Sequence, residues 1–259
     1  MTGSGTSRLS AEDLSIGYGK RTVVGSLGFD LGPGLLCGIV GINGIGKSTL
    51  LRTLAGFQPK LSGRIMMGDR ALEEHTPGEL SRELSVVLTE PPASRNLSVR
   101  ELIALGRQPH TNWLGQLSSL DREAIAQSLD TFLLRDLALR KCHELSDGQL
   151  QRVLIARAMA QDTPLILLDE PTTHLDLFHK VQILKMLRQL AHDRDKTILF
   201  TTHEIELAIQ LCDRILIVDG QENPYGTPCE LIEGKYFERL FPPQMVQFDP
   251  STGSFKVKK

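Results

Sequence analysis

Apolar residues fall along this chain in two patterns that alternate. Short unbroken runs, Leu35-Leu36-Cys37-Gly38-Ile39-Val40, Leu84-Ser85-Val86-Val87-Leu88 and Leu165-Ile166-Leu167-Leu168, are too short for helices. They read as strands buried on both faces, which need no alternation with polar residues. Residues 196–203 form a further strand of this kind, and residues 214–220 an edge hairpin strand. Residues 9–31 instead alternate apolar and polar positions around Gly17, Gly19, Gly25 and Gly28, the pattern of an antiparallel β region. Residues 62–69 add a strand and turn.

Helical spacing appears over residues 48–55, 177–192 and 205–211, and it dominates from Pro91-Pro92 to about residue 160. There Ser98-Val99-Arg100-Glu101 is a capping box, with Leu97 and Leu102 spaced as a hydrophobic staple. Its helix is expected to run to Gly106, followed by a loop to Gly115. The next helix carries Ile125, Leu129, Phe132 and Leu133 on one face, and Trp113 is expected to pack inward as an anchor. The expectation is an α/β chain: a core and β region over about 9–90 and 161–240, a helical subdomain inserted at about 91–160, and a tail at 241–259. The tail is read as a short helical stretch ending in a solvated basic run, Lys256-Val257-Lys258-Lys259.

Charge changes little in this picture but excludes one class. Charged residues are 23% of 259 and the formal net charge is −2, so no nucleic-acid footprint is present. The four cysteines, Cys37, Cys142, Cys212 and Cys229, form no C-x-x-C and are expected to be packing residues in a reducing compartment. Residues 1–8 contain no apolar signal region, and no apolar run approaches the roughly 20 residues of a spanning helix. Any membrane role must then pass through a partner.

The candidate chemistry starts where the first apolar run ends. Gly41-Ile42-Asn43-Gly44-Ile45-Gly46-Lys47-Ser48-Thr49 matches G-x-x-x-x-G-K-[ST], between a strand and a helix. The glycines let backbone N–H groups approach phosphate oxygens, and the helix start favours an anion. Lys47 would reach the β- and γ-phosphates and Ser48 would offer its hydroxyl to Mg2+. The chain is therefore expected to have a P-loop NTPase core, contacting ATP through Gly41, Asn43, Gly44, Ile45, Gly46, Lys47, Ser48 and Thr49. A second apolar strand ends in Asp169-Glu170. One carboxylate there can serve the metal, and Glu170 can orient and deprotonate an attacking water.

Leu145-Ser146-Asp147-Gly148-Gln149, Asp169-Glu170-Pro171-Thr172, Leu175-Asp176 and His203 follow the phosphate loop in an order that resembles the ATP-binding cassette (ABC) ATPases, over about residues 9–240. The resemblance implies a mixed sheet with flanking helices and a homodimer that sandwiches two ATP molecules. In that dimer Ser146, Gly148 and Gln149 would complete the partner's nucleotide site. It further implies that Tyr18 stacks on adenine, that Asp176 lies at the dimer interface and that His203 contacts the γ-phosphate. Glu90 takes the place of the family's usual metal-side glutamine at the hinge to the helical subdomain, and Asp147 replaces a usual glycine.

The stretch 99–107 with Pro109 and Gly115 is similar to the importers of iron–siderophores, haem and cobalamin. That implies an integral membrane permease, indirectly a substrate-binding protein, and a peripheral place on the cytoplasmic face of a bacterial inner membrane. Residues 91–120, with the rim near Glu90, are expected to receive a permease helix. Trp113 and Leu114 would supply contact area there and Arg107 a polar edge. A soluble ATPase of cofactor assembly and an exporter subunit are the alternatives within the family. A nucleic-acid motor is disfavoured by the single cassette and the absence of basic excess.

Overall fold

A computed structural model describes residues 8–90, 95–242 and 244–257. Strands β1 (Leu9–Tyr18) and β2 (Arg21–Leu31) form an antiparallel hairpin. Only Gly19 among the four predicted turn glycines sits in its turn; Gly25 and Gly28 lie within β2, whose register with β1 is interrupted by shifts. Strand β3 (Leu36–Val40) then leads into α1 (Lys47–Leu54). Strands β4 (Ser62–Met67) and β5 (Arg70–Ala71) return to the first sheet, whose order is β2-β1-β4-β5. Helix α2 (Pro77–Glu83) precedes β6 (Leu84–Val87).

Helices α3 (Val99–Ala104), α4 (Ser119–Thr131) and α5 (Asp147–Ala160) follow. Strand β7 (Leu165–Leu168), α6 (Leu177–Arg194), β8 (Thr197–Thr201), α7 (Ile205–Leu211) and β9 (Arg214–Ile217) rebuild the α/β pattern. Strand β10 (Tyr225–Gly226) pairs antiparallel with β9, and α8 (Pro228–Glu233) comes next. The second sheet, β10-β9-β3-β8-β7-β6, is otherwise parallel. It divides the interior into two cores. Leu9, Leu14, Leu27, Leu50 and Leu167 lie in one, between the sheet, α1 and the antiparallel sheet. The other joins Ile166 and Phe200 to Val99, Ile125 and Val153 of the helical segment. The inserted helices thus share a core with one face of the sheet.

Several sequence expectations change here. Trp113 is not a packing anchor: it is 91% exposed. Leu133 is exposed too, because α4 ends at Thr131 and Leu133 adopts φ 52°, which turns it off the helix face. Arg107 is not a polar edge but is 7% exposed. Its Nε donates to Asp121 Oδ1 at 2.8 Å and its Nη1 to the Ala160 carbonyl at 2.6 Å. The chain after α3 is no open loop either, since a 3-10 turn carries it from Leu105 to His110. Cys37, Cys142 and Cys212 are buried as expected, whereas Cys229 is exposed on α8.

The tail is a hairpin, β11 (Val246–Asp249) with β12 (Ser254–Val257). Phe248 and Phe255 pack with Phe237 and Phe241 at ring separations of 5.1–5.3 Å, and the Phe255 N–H donates to Glu206 of α7 at 2.9 Å. The polar start of the chain (residues 1–7), the Pro91-Pro92 break with the two residues after it, and the terminal Lys258-Lys259 lie outside the described residues. Among the described residues no helix is long and apolar enough to cross a membrane.

Candidate active site

Strands β3, β8 and β7 are adjacent and parallel, so their C-terminal ends open on one crevice. That is where parallel α/β sheets bind ligands. The phosphate-type loop leaves β3, Asp169 and Glu170 leave β7, and Thr201, Thr202 and His203 come from the end of β8. Gly46 holds φ 117°, and a Cβ there would meet Val23 at 2.7 Å, so β2 presses directly on the loop. A Cβ on Gly41 would fall 2.4 Å from the Val218 carbonyl. Helix α1 starts with no side-chain cap, which leaves its first N–H groups for an anion.

Lys47 is 5% exposed and donates to the carbonyls of Gly41 at 2.9 Å and Ile42 at 3.1 Å. Burial lowers its pKa, against the opposing pull of Glu170 and then Asp169. His203 Nδ1 stands 3.4 Å from the Lys47 ammonium, and His203 Nε2 bonds Glu170 Oε1. Lys47, His203 and Glu170 therefore form one row. The other Glu170 oxygen accepts from Thr173 Oγ1 at 2.9 Å. Glu170 itself has φ 50°, a left-handed conformation that costs a non-glycine residue about 1–3 kcal/mol and recurs at functional sites.

Asp169 lies beneath that row. Its Oδ1 accepts from Ser48 Oγ at 3.0 Å and Thr201 Oγ1 at 2.7 Å, and its Oδ2 accepts from Thr89 Oγ1 at 2.9 Å. The hydroxyl of Ser48 beside this carboxylate is a hard-oxygen pair of the kind Mg2+ takes. Among the described residues no group of three or more His, Cys, Asp or Glu side chains could hold a metal.

The structure sorts the remaining expected residues into two groups. Tyr18, at the end of β1, is 60% exposed and its hydroxyl is 3.2 Å from Thr49 Oγ1, so its ring stands free beside the first turn of α1. Glu90 is at the rim, with its side chain 65% exposed and paired with Arg52 of α1. Thr89, one residue earlier, is the one that reaches Asp169.

Ser146, Gly148, Gln149 and Asp176 belong to the starts of α5 and α6. Ser146 and Gln149 bond each other across the first turn of α5, and Asp176 caps α6 by accepting from His179 N–H at 2.9 Å. A Cβ on Gly148 would meet Leu175 at 3.2 Å, so α5 starts against the start of α6. Sequence reading missed Thr89, Thr173, Thr201 and Arg52. For Thr201 a signal existed: a hydroxyl ending the otherwise apolar run Ile198-Leu199-Phe200, two residues before His203.

The sequence model of ABC transporters matches residues 24–173. An iron(3+)-hydroxamate import ATP-binding protein of Bacillus subtilis is 35% identical over 234 residues, covering 90% of this chain and 87% of that protein. A ferric enterobactin transport ATP-binding protein of Escherichia coli is 31% identical over 249 residues, covering 95% and 92%. Among solved structures, an inward-facing ABC transporter of proposed metal-chelate type superposes with a TM-score of 0.79. It is 32% identical over 91% of this chain and 89% of that one.

Proposed function

This chain belongs to the ABC transporter family and is an ATPase, and from that premise we propose that it powers import of an iron–siderophore, haem or cobalamin-type substrate. In this reading two copies work together beneath a membrane permease, on the cytoplasmic face of a bacterial inner membrane. A substrate-binding protein feeds that permease from the other side. The observation that carries the hydrolytic part is the row of Lys47, His203 and Glu170 above the pair of Ser48 and Asp169. The substrate class is supported by the iron(3+)-hydroxamate and ferric enterobactin relatives, aligned over nearly the full chain.

The chemistry follows from the residues. Loop N–H groups and Lys47 hold the phosphates, and the Tyr18 ring is the surface for adenine. Glu170 accepts the proton of the attacking water, and His203 passes from its contact with Glu170 to the γ-phosphate. When bound, Mg2+ would be held by Ser48 and Asp169 and would neutralise phosphate charge, with Glu90 at the rim of that site. Ser146, Gly148, Gln149 and Asp176, at the starts of α5 and α6, would meet the nucleotide held by the second copy.

The permease seat is a groove of about 260 Å³ lined by Phe57, Val86, Val87, Leu88, Glu90, Leu154 and Arg157. It shares Phe57 and Val86 with a neighbouring hollow of about 590 Å³, and Phe57 is 62% exposed. Among the described residues the groove reaches Glu90 at the rim and is otherwise lined from Phe57, β6 with Leu88, and α5. Trp113 and Leu114 stay exposed on the helical segment as a second apolar contact.

The test is reconstitution in liposomes with a permease encoded beside this chain. ATPase activity should rise when a binding protein loaded with ferric siderophore, haem or cobalamin is added. Should no permease co-purify, and the chain bind a soluble assembly complex instead, the importer reading falls.

A further inference from the structure

We propose that Thr201 is a positioning residue for hydrolysis: its one hydroxyl ties the metal-side carboxylate of Asp169 to the backbone that carries Glu170. Thr201 is fully buried, at 0% exposure, as the last residue of β8. Its Oγ1 accepts the Glu170 N–H at 2.8 Å and donates to Asp169 Oδ1 at 2.7 Å. The polarity is unambiguous, because an amide N–H can only donate and leaves the hydroxyl proton for the carboxylate. The side chain is β-branched, so its χ1 is stiff and the hydroxyl is held in place. The neighbouring threonine differs: Thr202 Oγ1 accepts from Glu204 N–H at 3.0 Å and serves the turn into α7.

The geometry explains why a hydroxyl belongs at this point. Glu170 adopts φ 50°, which a residue with a side chain rarely takes, and its N–H has Thr201 as acceptor. Without that hydroxyl, the turn that aims the Glu170 carboxylate loses its anchor to β8. At the same stroke Asp169 Oδ1 keeps, among the described residues, only Ser48. Both carboxylates would then drift relative to the phosphate loop, and misplacement of this kind lowers turnover without weakening nucleotide binding.

The inference rests on the ATPase reading of Asp169 and Glu170, and the experiment separates the two. Full-length wild type, Thr201→Val, Thr201→Ala, Thr201→Ser and Glu170→Gln are compared. The measurements are ATPase kinetics, ATP affinity by calorimetry, and affinity for Mn2+ with a non-hydrolysable ATP analogue by electron paramagnetic resonance. Thr201→Val and Thr201→Ala should lose roughly ten- to hundredfold in kcat. Their ATP affinity should stay within about threefold, and Mn2+ should bind several-fold more weakly. Thr201→Ser should restore kcat to within about threefold of wild type, since it keeps only the hydroxyl.

Should valine disrupt folding, the alanine–serine pair decides. Valine or alanine variants with kcat within about twofold of wild type overturn the proposal, as does a serine variant no better than alanine. If Glu170→Gln hydrolyses ATP like wild type, the reading of the site fails instead.

Discussion

The floor of the nucleotide site and the helical segment both bury carboxylates, but they recruit partners at different distances along the chain. Asp169 is held by Ser48, Thr89 and Thr201, which arrive from three other parts of the sequence. In the helices, Ser98 with Glu101, Ser118 with Asp121 and Ser146 with Gln149 pair within one turn. Such caps stabilise by about 1 kcal/mol each and need only their own turn. The Asp169 network forms only when β3, β6, β7 and β8 are already side by side. The helical segment makes an exception at the Arg107–Asp121 pair, whose side chains are 8% and 3% exposed. Chemistry in this molecule rides on long-range contacts, whereas the helix starts are settled locally and one buried ion pair fastens the helices to each other.

The sharpest way to break the comparison is at the floor. Glu170→Gln should lower hydrolysis by roughly 10²–10⁴-fold while leaving Mg2+-ATP binding nearly intact. The protein should then accumulate as an ATP-bound dimer in size exclusion, and near-normal phosphate release would place the base elsewhere. The assignment of Ser146 to the second copy has its own test. Lys47→Ala and Ser146→Arg should each be inactive alone, yet a mixture should recover part of the activity, since one composite site then carries both lesions and the other none. A mixture that stays dead, while each variant still dimerises with wild type, would count against the assignment.

At the helical segment, Arg107→Met should cost about 3–5 kcal/mol, read from the urea midpoint, because it leaves the buried Asp121 carboxylate with Ser118 but no countercharge. A loss below about 1 kcal/mol would show that Asp121 is satisfied without Arg107. Asp121 is pushed down to about 2, chiefly by the Ser118 hydroxyl, with the Ser118 N–H and Arg107 adding to it against desolvation. A depressed carboxylate stabilises fully above its ordinary range and loses that stabilisation as pH falls toward about 2. Acid unfolding should therefore steepen in that window for wild type and less so for Arg107→Met.

Smaller effects belong to the rim. Glu90→Gln should leave basal hydrolysis within about threefold, since Glu90 pairs with Arg52 while Thr89 bonds Asp169, and should shift the Mg2+ requirement from its place at the rim. A loss as deep as that of Glu170→Gln would refute this division. Trp113→Ala should change stability by no more than about 0.5 kcal/mol, as an exposed substitution, while reducing stimulation by the permease. Marked destabilisation would show that Trp113 packs after all.

How far the sequence reached follows from the range of each interaction. The buried strands, the phosphate loop, the Ser98 capping box and the Ser146 cap were legible because each is decided within one turn or one run of neighbours. So was the order of Lys47, Asp169, Glu170 and His203, whose convergence at the strand ends follows once those runs pair in parallel. Only the tertiary structure put Arg107 against Ala160, 53 residues away, and left Trp113 and Leu133 in solvent. It also folded the tail into a hairpin on α7, turned Glu90 to Arg52 and aimed Thr201 at both acids. Burial and hydrogen-bond partnership belong to pairs of segments. A single run of residues carries its own periodicity but not the identity of what will pack against it.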